Sequence, residues 1–490
     1  DEHKDKDVYN MGGWCAYSLQ KYDQAKEKFA MINHLFGENA KSIYPYALSC
    51  YANDELQRAE EALDRIELID DKKDALLIAS LYMDLHKQSK AKNILSKLPP
   101  SKERDALFVT INKSYTQHMY ENATSVGMYY QSQTGLDGQS KFDKYVVPID
   151  YHYYPDDDLY HFYVKSDIMY LYNGYILDSN GSLGNFGLGT STQDDALGSD
   201  IGFMPKVGID YENIRVQIGT TPLGTKITPE ITWLLSGYLT YDYWRFSLKY
   251  EQKEIDESML SFVGEKAVDG SLEVNWGRVL KHGVEGAVSY DGNLNLSLTL
   301  GYYPDIHGLN TQKNSEFKTT FTAIYHPKVE SISYIDLGAI VAYDTYDKNS
   351  NLFTYGHGGY FSPQEFWLGS LFAQFGDIVT DNFYYQARVA LGLEGFIIND
   401  AYKFPLNDGI VNSGEIIKGY RDGGVTYKGA MQLGYKLNDN LDLISGFSLE
   451  RMNGYKVQQA SFALVYRFKP SSYRTLNTFG LNHRVDQVIK

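Results

Sequence analysis

Cysteine is almost missing from this chain: Cys15 and Cys50 are the two in 490 residues. Their spacing matches no zinc-ligand signature, and two cysteines cannot make a disulfide scaffold. Two small core side chains are expected, with a disulfide as the alternative in an oxidising compartment. Basic charge is also short, with 46 Lys and Arg against 62 Asp and Glu, a net charge of −16 and a pI of about 5.2. That argues against a nucleic-acid binder, which needs a basic stripe, and against adhesion to anionic headgroups. No run of eighteen apolar residues occurs, so no transmembrane helix is expected. Membrane β-strands alternate and escape such a scan. The opening "DEHKDKDVYN" is charged and unlike a signal peptide. The start is therefore read as a mature terminus or a cut inside a longer protein. No His, Asp or Glu cluster has metal-ligand spacing, and no cofactor is expected.

What is abundant is tyrosine, with 43 residues, matched by 43 glycines. Tyrosine suits half-wet boundaries such as a membrane–water girdle or a sugar-binding surface.

Residues 1–115 carry a repeat. "YDQAKEKF" (Tyr22 to Phe29), "LQRAEEAL" (Leu56 to Leu63) and "QSKAKNIL" (Gln88 to Leu95) superpose, aligning Ala25, Ala59 and Ala91, then Phe29, Leu63 and Leu95. A period of about 34 with a small and a large residue one turn apart is a tetratricopeptide pattern. The alanine admits a second helix and the large residue fills the groove. First helices are expected over "YNMGGWCAYSL", "YPYALSCYAN" and "ALLIASLYMDL". A plain helical bundle is the alternative. A repeat array is a docking scaffold rather than a catalyst.

From about Tyr145 the period changes to two. "NLNLSLTLGY" puts Leu294, Leu296, Leu298, Leu300 and Tyr302 on one face and Asn295, Ser297, Thr299 and Gly301 on the other. "YWRFSLKYE", "NFYYQARVALGLEG" and "VTYKGAMQLGYKL" behave alike. These segments are longer than the five or six residues common in soluble sheets and reach the 9–11 of membrane strands. A soluble sandwich would need a second apolar layer; here the opposite faces carry Arg, Lys, Glu, Gln and Gly, which suit a wet lumen. Tight turns such as "YDGN" and "LNDN" alternate with long loops such as 399–424. The expected architecture is α plus membrane β: a tetratricopeptide-like α-solenoid over 1–115, a linker over 116–145, an antiparallel barrel of about 16 strands over 146–469 closed by "FALVYRF", and a tail over 470–490 that lies in the periplasm or folds into the lumen.

Four stretches carry a resemblance: "GTTPLG" (Gly219 to Gly224), "DESMLSFVG" (Asp256 to Gly264), "WGRV" (Trp276 to Val279) and "YDKNSNLFTYGHGGYFSPQ" (Tyr346 to Gln364). With them the chain resembles the outer-membrane component of bacterial cellulose synthase, a family that joins a periplasmic tetratricopeptide array to a polysaccharide-exporting barrel. The resemblance implies a passive conduit and not an enzyme. Its cargo would be a polysaccharide, most simply a β-1,4-glucan. Its partners would be an inner-membrane cellulose synthase complex and periplasmic components, reached through the repeats. It would sit in the outer membrane of a Gram-negative bacterium, in contact with outer-membrane lipid, with the repeats in the periplasm. An exporter of another polymer such as poly-N-acetylglucosamine, a general porin and a barrel hydrolase are the alternatives.

Alternation selects Arg215, Arg245, Tyr384, Arg388 and Glu394 as lumen-facing, either as polysaccharide contacts or as an Arg–Glu network that stiffens the wall. Within "FTYGHGGYFSPQEF", Tyr355, Tyr360 and Phe361 are candidate sugar-facing aromatics, and His357 a hydrogen-bonding wall residue. His357 and Ser362 invite a hydrolase reading, but their parity on one strand is opposite. "GHGG" lacks the Lys and Ser/Thr of a phosphate loop. The acidic run Asp156 to Asp158 is expected to be a solvated turn or, failing that, a Ca²⁺ contact.

Overall fold

In a computed structural model the chain forms two compact units, helical and β. It describes residues 2–110, 122–155, 160–175, 185–189, 198–469, 482–484 and 487, less positions 67, 70, 86, 100, 105, 108, 109, 270, 293, 328, 330, 331, 407, 412, 413 and 453. The acidic run at 156–158 lies outside the described residues.

Six helices pair in sequence: α1 (Glu2–Ser18) with α2 (Tyr22–Phe36), α3 (Ala40–Ala52) with α4 (Leu56–Asp64), and α5 (Lys72–Asp84) with α6 (Gln88–Ser96). The aligned alanines are fully buried, and Phe29, Leu63 and Leu95 are buried one turn later. Two repeats are also tied by charge. Lys90 Nζ reaches Glu60 and Asp64, each at 2.8 Å, and Tyr82 Oη–H donates to Asp64 at 2.8 Å. Cys50 is buried as expected, but Cys15 is exposed, and both are free thiols. On α1 Gly13 and Ala16 are buried, and Ala16 packs with Ala25 and Phe29. One residue step turns a helix by about 100°, which takes Cys15 off that face.

The second unit is a closed antiparallel barrel of 16 strands. They are β1 (Ala123–Gln133), β2 (Phe142–Tyr153), β3 (Tyr160–Tyr172), β4 (Ser199–Tyr211), β5 (Ile214–Thr220), β6 (Ile231–Tyr241), β7 (Trp244–Glu254), β8 (Leu272–Tyr290), β9 (Leu294–Leu309), β10 (Asn314–Tyr325), β11 (Tyr334–Tyr346), β12 (Glu365–Ile378), β13 (Phe383–Ile398), β14 (Tyr420–Lys436), β15 (Leu441–Met452) and β16 (Tyr455–Arg467). Strand β1 pairs with β2 on one side and with β16 on the other, so the sheet closes on itself. Closure removes the unpaired edge that hydrocarbon could not solvate. The expected linker over 116–145 is corrected: β1 lies wholly inside it, and β2 begins there. The β1 segment "ATSVGMYYQSQ" is small and mixed, so its alternation is faint in sequence. Likewise β14 starts at Tyr420, inside the loop expected over 399–424.

Alternation places the large apolar side chains outside. On β9 Leu294, Leu298, Leu300 and Tyr302 are exposed; on β7 Trp244, Phe246, Leu248 and Tyr250 are. A barrel whose outer wall is this apolar, with charges turned inward, spans a membrane. Both chain ends of the barrel lie at the end with short turns, such as 212–213 and 437–440. The opposite end carries the long loops.

Candidate functional site: a lumen capped by inward-folded loops

The lumen has two unlike halves. Toward the short-turn end it is polar and open, with a cavity of about 770 Å³. Arg215 on β5 lies opposite Asp210 on β4 and grips it through Nε and Nη2, both at 2.7 Å. His161 meets the same carboxylate at 3.1 Å and stacks flat on Tyr154 at 4.1 Å. The Arg245 guanidinium sits 3.8 Å from the centre of the Tyr238 ring. Beyond it runs a ladder of charge across β7 to β10: Glu251, Lys249, Glu285 and Lys318. Lys318 reaches Glu285 over β9 because Gly301 stands between them; a Cβ there would come within 2.7 Å of the lysine stem. These pairs are not waterproof, and each is worth little to stability. Their effect is to line the wall with alternating donors and acceptors.

Toward the long-loop end the lumen is filled. Segment 255–264 folds inside the barrel, and Ser258 caps a single helical turn, Met259–Phe262, in a reciprocal pair with Ser261. Met259, Phe262 and Val263 pack on inward residues of β1 to β4, among them Tyr129, Phe142, Met169 and Met204. Leu260 packs with Trp276, Phe353 and Tyr355. Thus "FTYGHGGYFSPQEF" is corrected from a wall segment to a loop of this cap. Residues 353–354 pair in parallel with 186–187, not with a barrel strand. Gly359 is where two cap segments touch: its carbonyl accepts Ser258 Oγ–H at 2.6 Å. Its φ is +65°, and a Cβ would stand 2.9 Å from both Leu260 and Phe353, so glycine is required there.

The candidate residues therefore divide. Arg215 and Arg245 line the open cavity. Arg388 faces inward with its guanidinium 4.6 Å from the Phe372 ring centre. Tyr384 is fully buried and donates to Asp442, and Glu394 is buried too. Tyr355 and Tyr360 are 1% and 2% exposed, which corrects their reading as sugar-facing. Their hydroxyls are taken: Tyr355 donates to Asp408 at 2.9 Å, and Tyr360 Oη accepts from Asn314 at 3.0 Å. Phe361 packs on Phe366 and Phe396. His357 is fully buried, with Nδ1 at 3.3 Å from Gln312 and Nε2 at 2.9 Å from the Tyr402 carbonyl. Burial pushes it down to about 4, so it stays neutral and holds the cap. Ser362 Oγ accepts from Ser350 N–H at 2.7 Å, so the two side chains serve separate contacts and form no hydrolase pair.

Sequence reasoning left the tail between the periplasm and the lumen and named no residue that docks it. Asn482 donates to Ser125 on β1 at 3.0 Å. His483 places Nδ1 on Asp150 of β2 at 2.6 Å and Nε2 on Asp167 of β3 at 3.0 Å. Arg484 Nε donates to Asp167 at 3.0 Å. Burial works against the charged imidazole, but the two carboxylates outweigh it and hold His483 above its ordinary pKa. The described tail residues thus lie in the lumen. Inward carboxylates on neighbouring strands were the available signal, and β3 was not among the strands read.

Residues 145–469 match the family described as "Cellulose synthase operon protein C C-terminus". The chain belongs to that family. Proteins carrying the name "Cellulose synthase operon protein C" are similar to it: one from Pseudomonas fluorescens (strain SBW25) is 24% identical over 59% of this chain and 23% of its own length, and one from Escherichia coli (strain K12) is 29% identical over 36% and 16%. The chain thus spans less than a quarter of these family relatives. Among solved structures, a "Bacterial polysaccharide outer membrane secretin" aligns over 72% of this chain and all of its own at 9% identity, with a TM-score of 0.45. Salmonella typhi OmpF in complex with daunomycin covers 72% and 99% at 11% identity, with a TM-score of 0.32.

Proposed function

We propose that this chain is an outer-membrane export channel for a polysaccharide, and that the polymer is a β-1,4-glucan. Membership of the cellulose synthase operon protein C family carries the reading. The lumen supports it physically. A neutral glucan offers hydroxyls along its edges and CH-rich ring faces. The open cavity offers Asp210, Arg215, Lys249 and Glu285 for the first, and Tyr154, His161 and Tyr238 for the second. Many weak contacts let a chain slide, whereas one strong contact would stop it.

In this reading the short-turn end faces the periplasm, where the repeats, 1–115, would dock the inner-membrane synthase. The long-loop end faces outward, and the capped lumen is a resting state. Chromosomal deletion of the barrel tests this. The expected result is loss of secreted glucan while synthesis continues inside the cell, with restoration by the barrel-containing gene. Normal glucan secretion after deletion would overturn it, as would loss of a different polymer in its place.

A further inference from the structure

The cap is not joined to the wall evenly. Besides the cap's own core, where Leu260, Phe353 and Tyr355 pack on Val274 and Trp276 at the end of β8 that pairs with residues 265–269, three apolar seams hold it. One runs from Met259, Phe262 and Val263 to β1–β4. A second joins Tyr360 to Val279, Tyr303, Ile306 and Tyr346 on β8, β9 and β11. A third joins Phe361 to Phe366 on β12 and to Phe396 and Ile398 on β13. Among the described residues, these seams leave out β5–β7, β10 and β14–β16, and it is β15 and β16 that border Phe353, Gly359 and Phe361. A cavity of about 260 Å³ lies there instead, between Phe353, Gly359 and Phe361 of the cap and Met452, Tyr455 and Gln459 of the wall.

A second cavity, of about 440 Å³, lies against Asp167, Glu251, Lys253 and the docked Arg484. Asp256 and Glu257 line both cavities, so they form the septum between them. Among the described residues, polar contacts hold the septum. Lys144 Nζ pairs with Asp256 at 2.7 Å. Gln133 Nε2 donates to the Glu257 carbonyl at 2.9 Å. Phe361 N–H donates to the Glu257 carboxylate at 2.7 Å. Polar contacts beside lumenal water exchange readily, whereas apolar seams must be exposed to break.

We propose that the polymer leaves along a lane between the cap and the wall of β15, β16 and β1, and that Asp256–Glu257 is the gate across it. The lane's chemistry fits a neutral sugar chain. Gln131, Gln133 and Gln459 present amides to hydroxyls, and Phe361 and Tyr455 present ring surface to CH faces. The cap then need not unfold. Its seams stay closed while the septum swings aside.

The gate rests on the export reading, but its test does not. The full chain is reconstituted in planar bilayers and single-channel conductance is recorded in KCl, with resistance of the barrel to trypsin as the check on folding. Glu257→Ala and Lys144→Met are each expected to raise conductance severalfold over the parent. Adding Gln459→Trp, which fills the lane from the wall, is expected to return it to the parent level. A folded Glu257→Ala protein with parental conductance overturns the gate. An open Glu257→Ala channel that Gln459→Trp does not narrow overturns the lane, because ions would then pass elsewhere through the cap. Cellohexaose added to the open variant separates the two ideas. Current block by it that is lost with Gln459→Trp supports both, while a gated lane without block leaves the gate and removes the glucan.

Discussion

The two halves of the lumen are built from the same strands and have opposite interiors. At the short-turn end, inward positions carry Arg215, Lys249 and Glu285, whose partners are a strand or two away. At the long-loop end, inward positions of the same sheet carry Val279, Tyr303 and Phe396, all buried under loops. A strand's parity decides which residues face inward, but height along the strand decides whether inward means water or core. On the proposed reading, the charged half keeps a polymer moving and the apolar half holds a lid shut.

The contrast can be broken most strongly where a buried group serves the wall itself. Arg467 and Asp442 are fully buried and paired at 2.8 Å near the closing seam, and Tyr384 shares the carboxylate. Asp442→Ala takes a buried carboxylate partner from that guanidinium and is expected to destabilise the barrel by about 3–5 kcal/mol. Denaturant titration of the folded, heat-resistant species measures this. Trp276→Ala opens a cavity in the cap core and is expected to cost about 3–5 kcal/mol locally. It should appear as faster proteolysis of the cap loops with the barrel intact, which keeps the two halves separable.

A smaller effect is expected from pH. Enclosure raises Glu257 from its ordinary 4.5 to about 7, against the Phe361 N–H that favours the anion and beside Lys281, Asp256 and Glu316. In that window the closed cap holds a proton that a free carboxyl would release. Closure therefore weakens as pH rises from about 4.5 to 7. Open-channel time should increase across that range, and Glu257→Gln should flatten the profile. Because the carboxylate still meets lumenal water, the change should be modest. Least of all, Gly301→Ala should push Lys318 from Glu285 and shift ion selectivity, while changing stability by about 0–1 kcal/mol.

The barrel was legible because Leu294 to Tyr302, Trp244 to Tyr250 and Phe383 to Leu393 obey a period of two that nothing local disturbs. The repeats were legible because Ala25, Ala59 and Ala91 recur with their large partners. Parity also found Arg215 and Arg245. It misjudged the cap: Tyr355 and Tyr360 are in no long strand, and their burial depends on Leu260 and Val279, which lie 95 and 81 positions away by numbering. Such long-range packing leaves no periodic trace. The contacts that dock the tail escaped for the same reason, since His483 finds Asp150 more than three hundred residues back.

That last contact ties assembly to order. Asp150 and Asp167 stand on early strands, and their partners arrive with nearly the final residues of this sequence. Until β16 has met β1, the two carboxylates face an unfinished lumen. Once the ring is complete, His483 and Arg484 can settle on them from within. His483 and Arg484 thus offset a patch of negative potential that β2 and β3 turn into the lumen.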